Sequence, residues 1–146
     1  MRTILFRAKR KDNGELVEGY YTKGFRNPNE KELSDLIYMF SGKASKWNFD
    51  YAVVLPETVG QYTGLPDKNG KKIFEGDIVT HFINWLGKRA NGVVSYNSKV
   101  ASWVCDFVID DKKESAFLAD WVNGNGCEII GNIHDNPEIL GGDRNE

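Results

Sequence analysis

The sequence predicts a mostly β protein of the α+β class, an SH3-like β-barrel at the C-terminal end preceded by a β-hairpin and one short helix. Three observations carry this reading. After Trp47 the chain consists of short β-prone runs broken by Gly, Asn and Asp corners. Near the N-terminus an Asn-Gly pair separates two strand-like runs, and around residue 30 apolar residues recur at helical spacing. The expected division is an N-terminal α+β subdomain over 1–56 offering an oligomerisation surface, a barrel over 57–140, and a flexible tail over 141–146.

The hairpin spans Thr3 to Tyr21 and turns at Asp12-Asn13-Gly14, because Asn-Gly tolerates the positive φ of a tight hairpin. The helix is expected to start at Asn27 as cap, with Pro28 at the first helical position and Glu30 placed as in a capping box. Leu33, Leu36, Ile37 and Phe40 then share one face, Gly42 stops the helix, and that apolar stripe is the expected interface between copies of the chain. Tyr51 to Leu55 reads as a strand and Glu57 to Lys72 as a turn-rich stretch. Ile73 to Phe82 reads as strand, Gly87 to Gly92 as a polar loop, and Val93 to Tyr96 as a return strand. Ser102 to Ile109 is a strand with Trp103, Cys105 and Phe107 on one face and Val104, Asp106 and Val108 on the other. Asp110 to Glu114 reads as an acidic loop, and Glu128 to Ile133 as the last strand.

A length of 146 residues with 40% hydrophobic and 27% charged residues is ordinary globular usage and excludes a disordered or fibrous chain. The net charge of -2 excludes a chain-wide basic field that would draw nucleic acid or anionic membrane. Its distribution is uneven: residues 1–50 hold ten Lys and Arg against seven Asp and Glu, and residues 51–146 nine against fourteen. Charge enters too early after Met1 for an apolar signal peptide, and no apolar run is long enough for a membrane-spanning helix. Cys105 and Cys127 form no paired motif and read as reduced thiols in a cytoplasm.

The run from Val59 to Val79, ending Glu75-Gly76-Asp77-Ile78-Val79, and the run from Ile129 to Leu140, containing Gly131-Asn132-Ile133-His134-Asp135-Asn136-Pro137, closely resemble the YopX family of phage and prophage proteins. Phe6-Arg7-Ala8 is similar to the start of that family, so the resemblance covers Arg2 to Leu140, weakest through the expected helix and residues 97–125. It implies a protein encoded by a phage or prophage and acting in the bacterial host cytoplasm, with an SH3-type barrel after a smaller α+β part. It implies no reaction, cofactor or catalytic residue, and the signature residues read as fold chemistry: glycines at 60, 64, 70 and 76 for turns, and Asp77 for bonding neighbouring backbone N–H groups.

No catalytic or metal residues are assigned. Cys105, Cys127, His81 and His134 are zinc-type ligands but lack any closely spaced pair. The Asp67-Lys68-Asn69-Gly70 run fails as a calcium loop, because Gly falls at position 4 and Lys71 and Ile78 stand at positions 5 and 12, where oxygen ligands are required. No nucleophile elbow or phosphate-cradling loop is present. Two function classes remain open. As a nucleic-acid binder the chain would use Arg7, Lys9, Arg10 and Lys11 near the first turn and Lys88 and Arg89 on another loop, with Tyr20, Tyr21 and Trp85 to stack on bases. As an interaction or assembly module, the reading preferred here, it would bind itself or another phage or host protein through surplus aromatics and the amphipathic helix.

Overall fold

The computed structural model describes residues 2–39 and 50–142. The chain forms two compact units, Met1–Tyr62 and Thr63–Glu146. Among the described residues the strands make two antiparallel sheets, with no closed barrel.

In the first unit β1 (Phe6–Lys9) pairs with β2 (Leu16–Gly24), which pairs with β3 (Ser34–Met39), which pairs with β4 (Asp50–Val53). A single 3-10 turn, Pro56–Thr58, then leads to β5 (Gly60–Pro66), whose first residues pair with the other side of β1. The expected hairpin is present, with Gly14 at φ +73°. The core gathers Ala8, Ile37, Ala52 and Val54, with Phe6, Tyr21 and Val59 packed against it. Gly19 is forced by close approach: a Cβ there would stand 2.1 Å from the Tyr38 carbonyl oxygen on β3, so no side chain fits between the two backbones.

Among the described residues the helix expected from Asn27 is not formed, and Ser34–Met39 of that stretch is strand β3. The start signals are real but make only an isolated turn. Asn27 Oδ1 accepts from the Asn29 amide at 3.0 Å, and Glu30 Oε2 accepts from the Arg26 amide at 2.8 Å. Beyond it, Leu36 to Met39 finds backbone partners on both sides, Ile37 lying opposite Tyr21 on β2 and Ala52 on β4. Those ladders override a marginal local helix. Leu36 and Ile37 are 1% and 0% exposed, so they are interior residues rather than an oligomer interface. Leu33 is exposed, and Phe40, Gly42 and Trp47 lie outside the described residues.

In the second unit β5 runs on beside β6 (Lys72–Phe74). A five-stranded sheet follows in the order β10-β9-β8-β7-β11, from β7 (Asp77–Ile83), β8 (Lys88–Asn97), β9 (Ser102–Ile109), β10 (Lys112–Phe117) and β11 (Glu128–Asn132). Helix α1 (Leu118–Asn123) bridges β10 to β11, and α2 (Glu138–Gly142) follows. The core is built from Ile73, Val79, Val94, Cys105, Leu118 and Trp121 with their neighbours. Strand β9 has the expected faces, Trp103, Cys105 and Phe107 belonging to that core. The polar loop expected at 87–92 is instead the start of β8, and the acidic loop at 110–114 shrinks to a two-residue turn before β10.

Candidate functional site

Three segments of the second unit converge on one open groove of about 610 Å³. The first is the turn between β7 and β8, where the Leu86 and Gly87 amides donate to the Ile83 and Asn84 carbonyls and fold Trp85 out at the tip. Trp85 is 84% exposed. The second is the turn between β9 and β10, where Asp110 and Asp111 both take left-handed φ values, 50° and 61°. Lys88 Nζ pairs with Asp110 and ties this turn to the beginning of β8. The third is α1, which drives Leu118 and Trp121 into the core while leaving Asp120 on the rim.

The groove floor is aromatic. The His81 ring stacks on Trp121 with centroids 4.8 Å apart, and Phe107 meets the same indole at 5.2 Å. His81 Nδ1 lies 2.8 Å from the Gly126 carbonyl oxygen, which only accepts, so this nitrogen carries the proton and the ring is fixed as a packing element. The rim carries the carboxylates Asp110, Glu114 and Asp120 against one ammonium, Lys112. An apolar floor with a few charged groups at its edge suits the burial of another molecule's side chains.

The other residues read as candidates from sequence are placed as follows. Arg7 and Lys9 share one face of β1, opposite the core residue Ala8, and Arg7 stands across from Glu18 on β2. Arg10 makes a bidentate contact with Asp12 at 3.0 Å for both bonds, which raises the pKa of the guanidinium and lowers that of Asp12. Lys11 lines a separate polar groove of about 600 Å³ that holds the Arg26–Glu30 ion pair. Lys88 and Arg89 belong to the second unit, Lys88 engaged by Asp110 and Arg89 standing 6.0 Å over the Phe82 ring. The six cations are thus divided between the two units.

Cys105 and Cys127 are buried free thiols in the second core. Burial, then the neighbouring Cys127, pushes the Cys105 thiol far up. Burial followed by the charge of Asp67 raises Cys127 to about 11. Among the described residues no group of three or more His, Cys, Asp or Glu side chains is arranged to hold a metal ion.

The signature stretches organise backbone. Asp67 accepts from the amides of Asn69 at 2.8 Å, Lys71 at 2.9 Å and Ile129 at 3.2 Å. Asp77 Oδ2 accepts from the Phe74 amide at 2.8 Å. Asn132 Oδ1 accepts from the His134 and Asp135 amides, and Asn136 Oδ1 packs so closely that a Cβ on Gly131 would lie 2.6 Å from it. These contacts are the structural reason for the Gly-Asn-x-His-Asp-Asn pattern.

Comparison with known proteins agrees with this picture. No curated protein matches the chain. Among solved structures, the crystal structure of protein EF1440 from Enterococcus faecalis is similar, with a TM-score of 0.51 and 26% identity, covering 96% of this chain and 99% of that one. The family model described as YopX protein matches residues 5–141, a span that includes both signature stretches. With nearly the whole chain matched, and those stretches building the turns around β5, β6 and β11, the protein belongs to the YopX family.

Proposed function

We propose that this chain is a non-enzymatic accessory module, encoded by a phage or prophage and acting in the bacterial host cytoplasm, that works by binding another protein through the aromatic groove of its second unit. The observation that carries this reading is Trp85, 84% exposed at a hairpin tip beside a floor of Trp121, Phe107 and His81. Burying a Trp side chain against a partner is worth about 3–5 kcal/mol, and such residues dominate binding energies at protein interfaces. The meander from β7 to β10, with β11 returning beside β7, supports an SH3-like arrangement for this unit, and the likeness to a bacterial protein supports the bacterial setting.

Protein is favoured over nucleic acid because Arg10 and Lys88 are each engaged by a carboxylate, and the groove itself is lined by more carboxylates than cations. The test compares the proteins retained from infected or lysogenic host extract by the wild type, by Trp85→Ala and by Phe25→Ala, the last an exposed aromatic of the first unit. Retention of a specific protein that is lost with Trp85→Ala and kept with Phe25→Ala is expected. Identical profiles for all three would remove the groove from the function. Binding of single- or double-stranded DNA at low salt that weakens steeply as salt is added would restore the nucleic-acid reading instead.

A further inference from the structure

The groove stops at an unpaired sheet edge. Among the described residues, β10 has β9 on one side and no strand on the other. The two-residue turn at Asp110–Asp111 fixes which backbone groups remain. Lys112, Glu114 and Ala116 sit opposite Ile109, Phe107 and Cys105 as the hydrogen-bonded pairs, so the N–H and C=O groups of Lys113, Ser115 and Phe117 point out of the sheet.

Both faces of this edge are hollow. Side chains alternate along β10, so Lys112, Glu114 and Ala116 line the aromatic groove, and Lys113 and Ser115 line a second groove of about 520 Å³ on the opposite face. The two differ in chemistry. The second is walled mainly by Val93, Phe107, Val108 and Leu140, and its charged residues are of both signs, Asp106 and Glu114 with Lys113. In the aromatic groove the carboxylates of Glu114 and Asp120 have no ion pair among the described residues, and they stand near Trp85 and Trp121. A strand added to β10 would place alternate side chains in the two grooves: a cation over the indoles and beside the carboxylates, and an apolar group against the valines.

Resting on the reading of this groove as the binding surface, we propose that the edge of β10 receives an extended segment of a partner protein as an added strand, with Arg or Lys side chains entering the aromatic groove and β-branched apolar side chains entering the opposite one. Charge complementarity selects this occupant. A second copy of the chain fits less well, because pairing β10 with itself about an axis centred on Lys112, Lys113 or Glu114 sets like charges directly opposite, and the registers that avoid this, centred on Ser115 or Ala116, pair no more than the Lys113–Phe117 end of the strand.

The experiment follows backbone amide and indole NMR signals of the full chain while an acetylated, amidated peptide alternating arginine and valine is added. The controls are its glutamate–valine counterpart and the same arginine–valine peptide N-methylated at every residue, so that neither edge can donate. The expected result is a set of shifts centred on Lys113, Ser115, Phe117 and the Trp85 indole. Affinity should fall by about tenfold or more with the acidic peptide, and binding should be lost with the methylated one, which cannot form the ladder. Ser115→Pro, which removes an outward N–H that the β9 pairing does not use, should abolish the shifts; the methylated peptide makes the same test without altering the protein. Shifts confined to Trp85 and Trp121, indifferent to methylation, would overturn strand addition and leave the groove reading standing. Equal affinity for the acidic peptide, or no shifts up to the solubility limit, would overturn the proposed chemistry. A dimer by light scattering with β10 amides protected before any peptide is added would assign the edge to a second copy and overturn it as well.

Discussion

Tyr21 Oη donates to Asp35 Oδ1 at 2.5 Å across the β2–β3 ladder. Ionising the phenol would break that bond and set two negative groups in contact, so the pKa rises from 10.0 to about 12, the hydrogen bond contributing most and burial next. A folded-state value above the unfolded one means that the neutral phenol is what the fold stabilises. The contribution is therefore intact below about pH 10 and lost as pH climbs through about 12. Tyr21→Phe is expected to be less stable than the wild type at neutral pH and to lose less stability between those limits, as read from urea unfolding at stepped pH. A second residue-scale prediction concerns the β9–β10 turn. Asp110 and Asp111 both occupy left-handed backbone, the geometry in which Asp-Gly is the favoured pair. Asp110 is needed for Lys88, whereas Asp111 sits in strain that Gly avoids. Asp111→Gly should raise stability by about 0.5–1 kcal/mol, seen as a higher urea midpoint at unchanged slope.

At the scale of elements, long-range carboxylate bonds decide what the turns do. Asp67, 5% exposed, holds two amides of its own turn and one of β11, so it fixes the β5–β6 connection and the return of the last strand together. Asp67→Ala would leave three donors without that acceptor and should cost about 2–4 kcal/mol, with the Ile129 amide exchanging faster than its neighbours. Asp67→Asn, which keeps one carbonyl acceptor, should cost less than half of that, and equal losses for both would place the effect in charge rather than in hydrogen bonding. Elements with a local cause were legible: the Asn13-Gly14 hairpin, the β9 faces, and the Asp77 bond to Phe74. Elements decided by partners distant in sequence were not. Leu33, Leu36 and Ile37 have helical spacing, but backbone pairing on both sides of β3 buries Leu36 and Ile37 on opposite faces, which erases the alternation that marks a strand. The groove left even less trace. Its walls come from residues 81–86, 107–116 and 120–125, and a Trp at the tip of a turn has no periodic partner to distinguish it from a core residue.

For the whole molecule, the two hydrophobic cores share no residue: Ala8, Ile37, Ala52 and Val54 anchor one, and Ile73, Val79, Leu118 and Trp121 are among those that build the other. The chain passes from one to the other within β5, whose residues up to Tyr62 belong to the first unit and from Thr63 to the second. Large-to-small changes in a buried site remove packing and leave a cavity, at about 2–5 kcal/mol for Ile→Ala. That loss acts on whichever cooperative unit contains the site. Ile37→Ala is therefore expected to speed amide exchange in β1 to β4 while leaving β7 to β10 protected, and Ile73→Ala to do the reverse. Equal acceleration throughout the chain from either substitution would show that the units unfold as one, and any effect of unit-one variants on the β10 edge would then have to be read as global instability. If exchange separates as expected, the first unit can be altered freely while binding at the groove is measured. Phe25→Ala then becomes a valid control for Trp85→Ala, because a loss seen with Trp85→Ala alone belongs to the surface of the second unit.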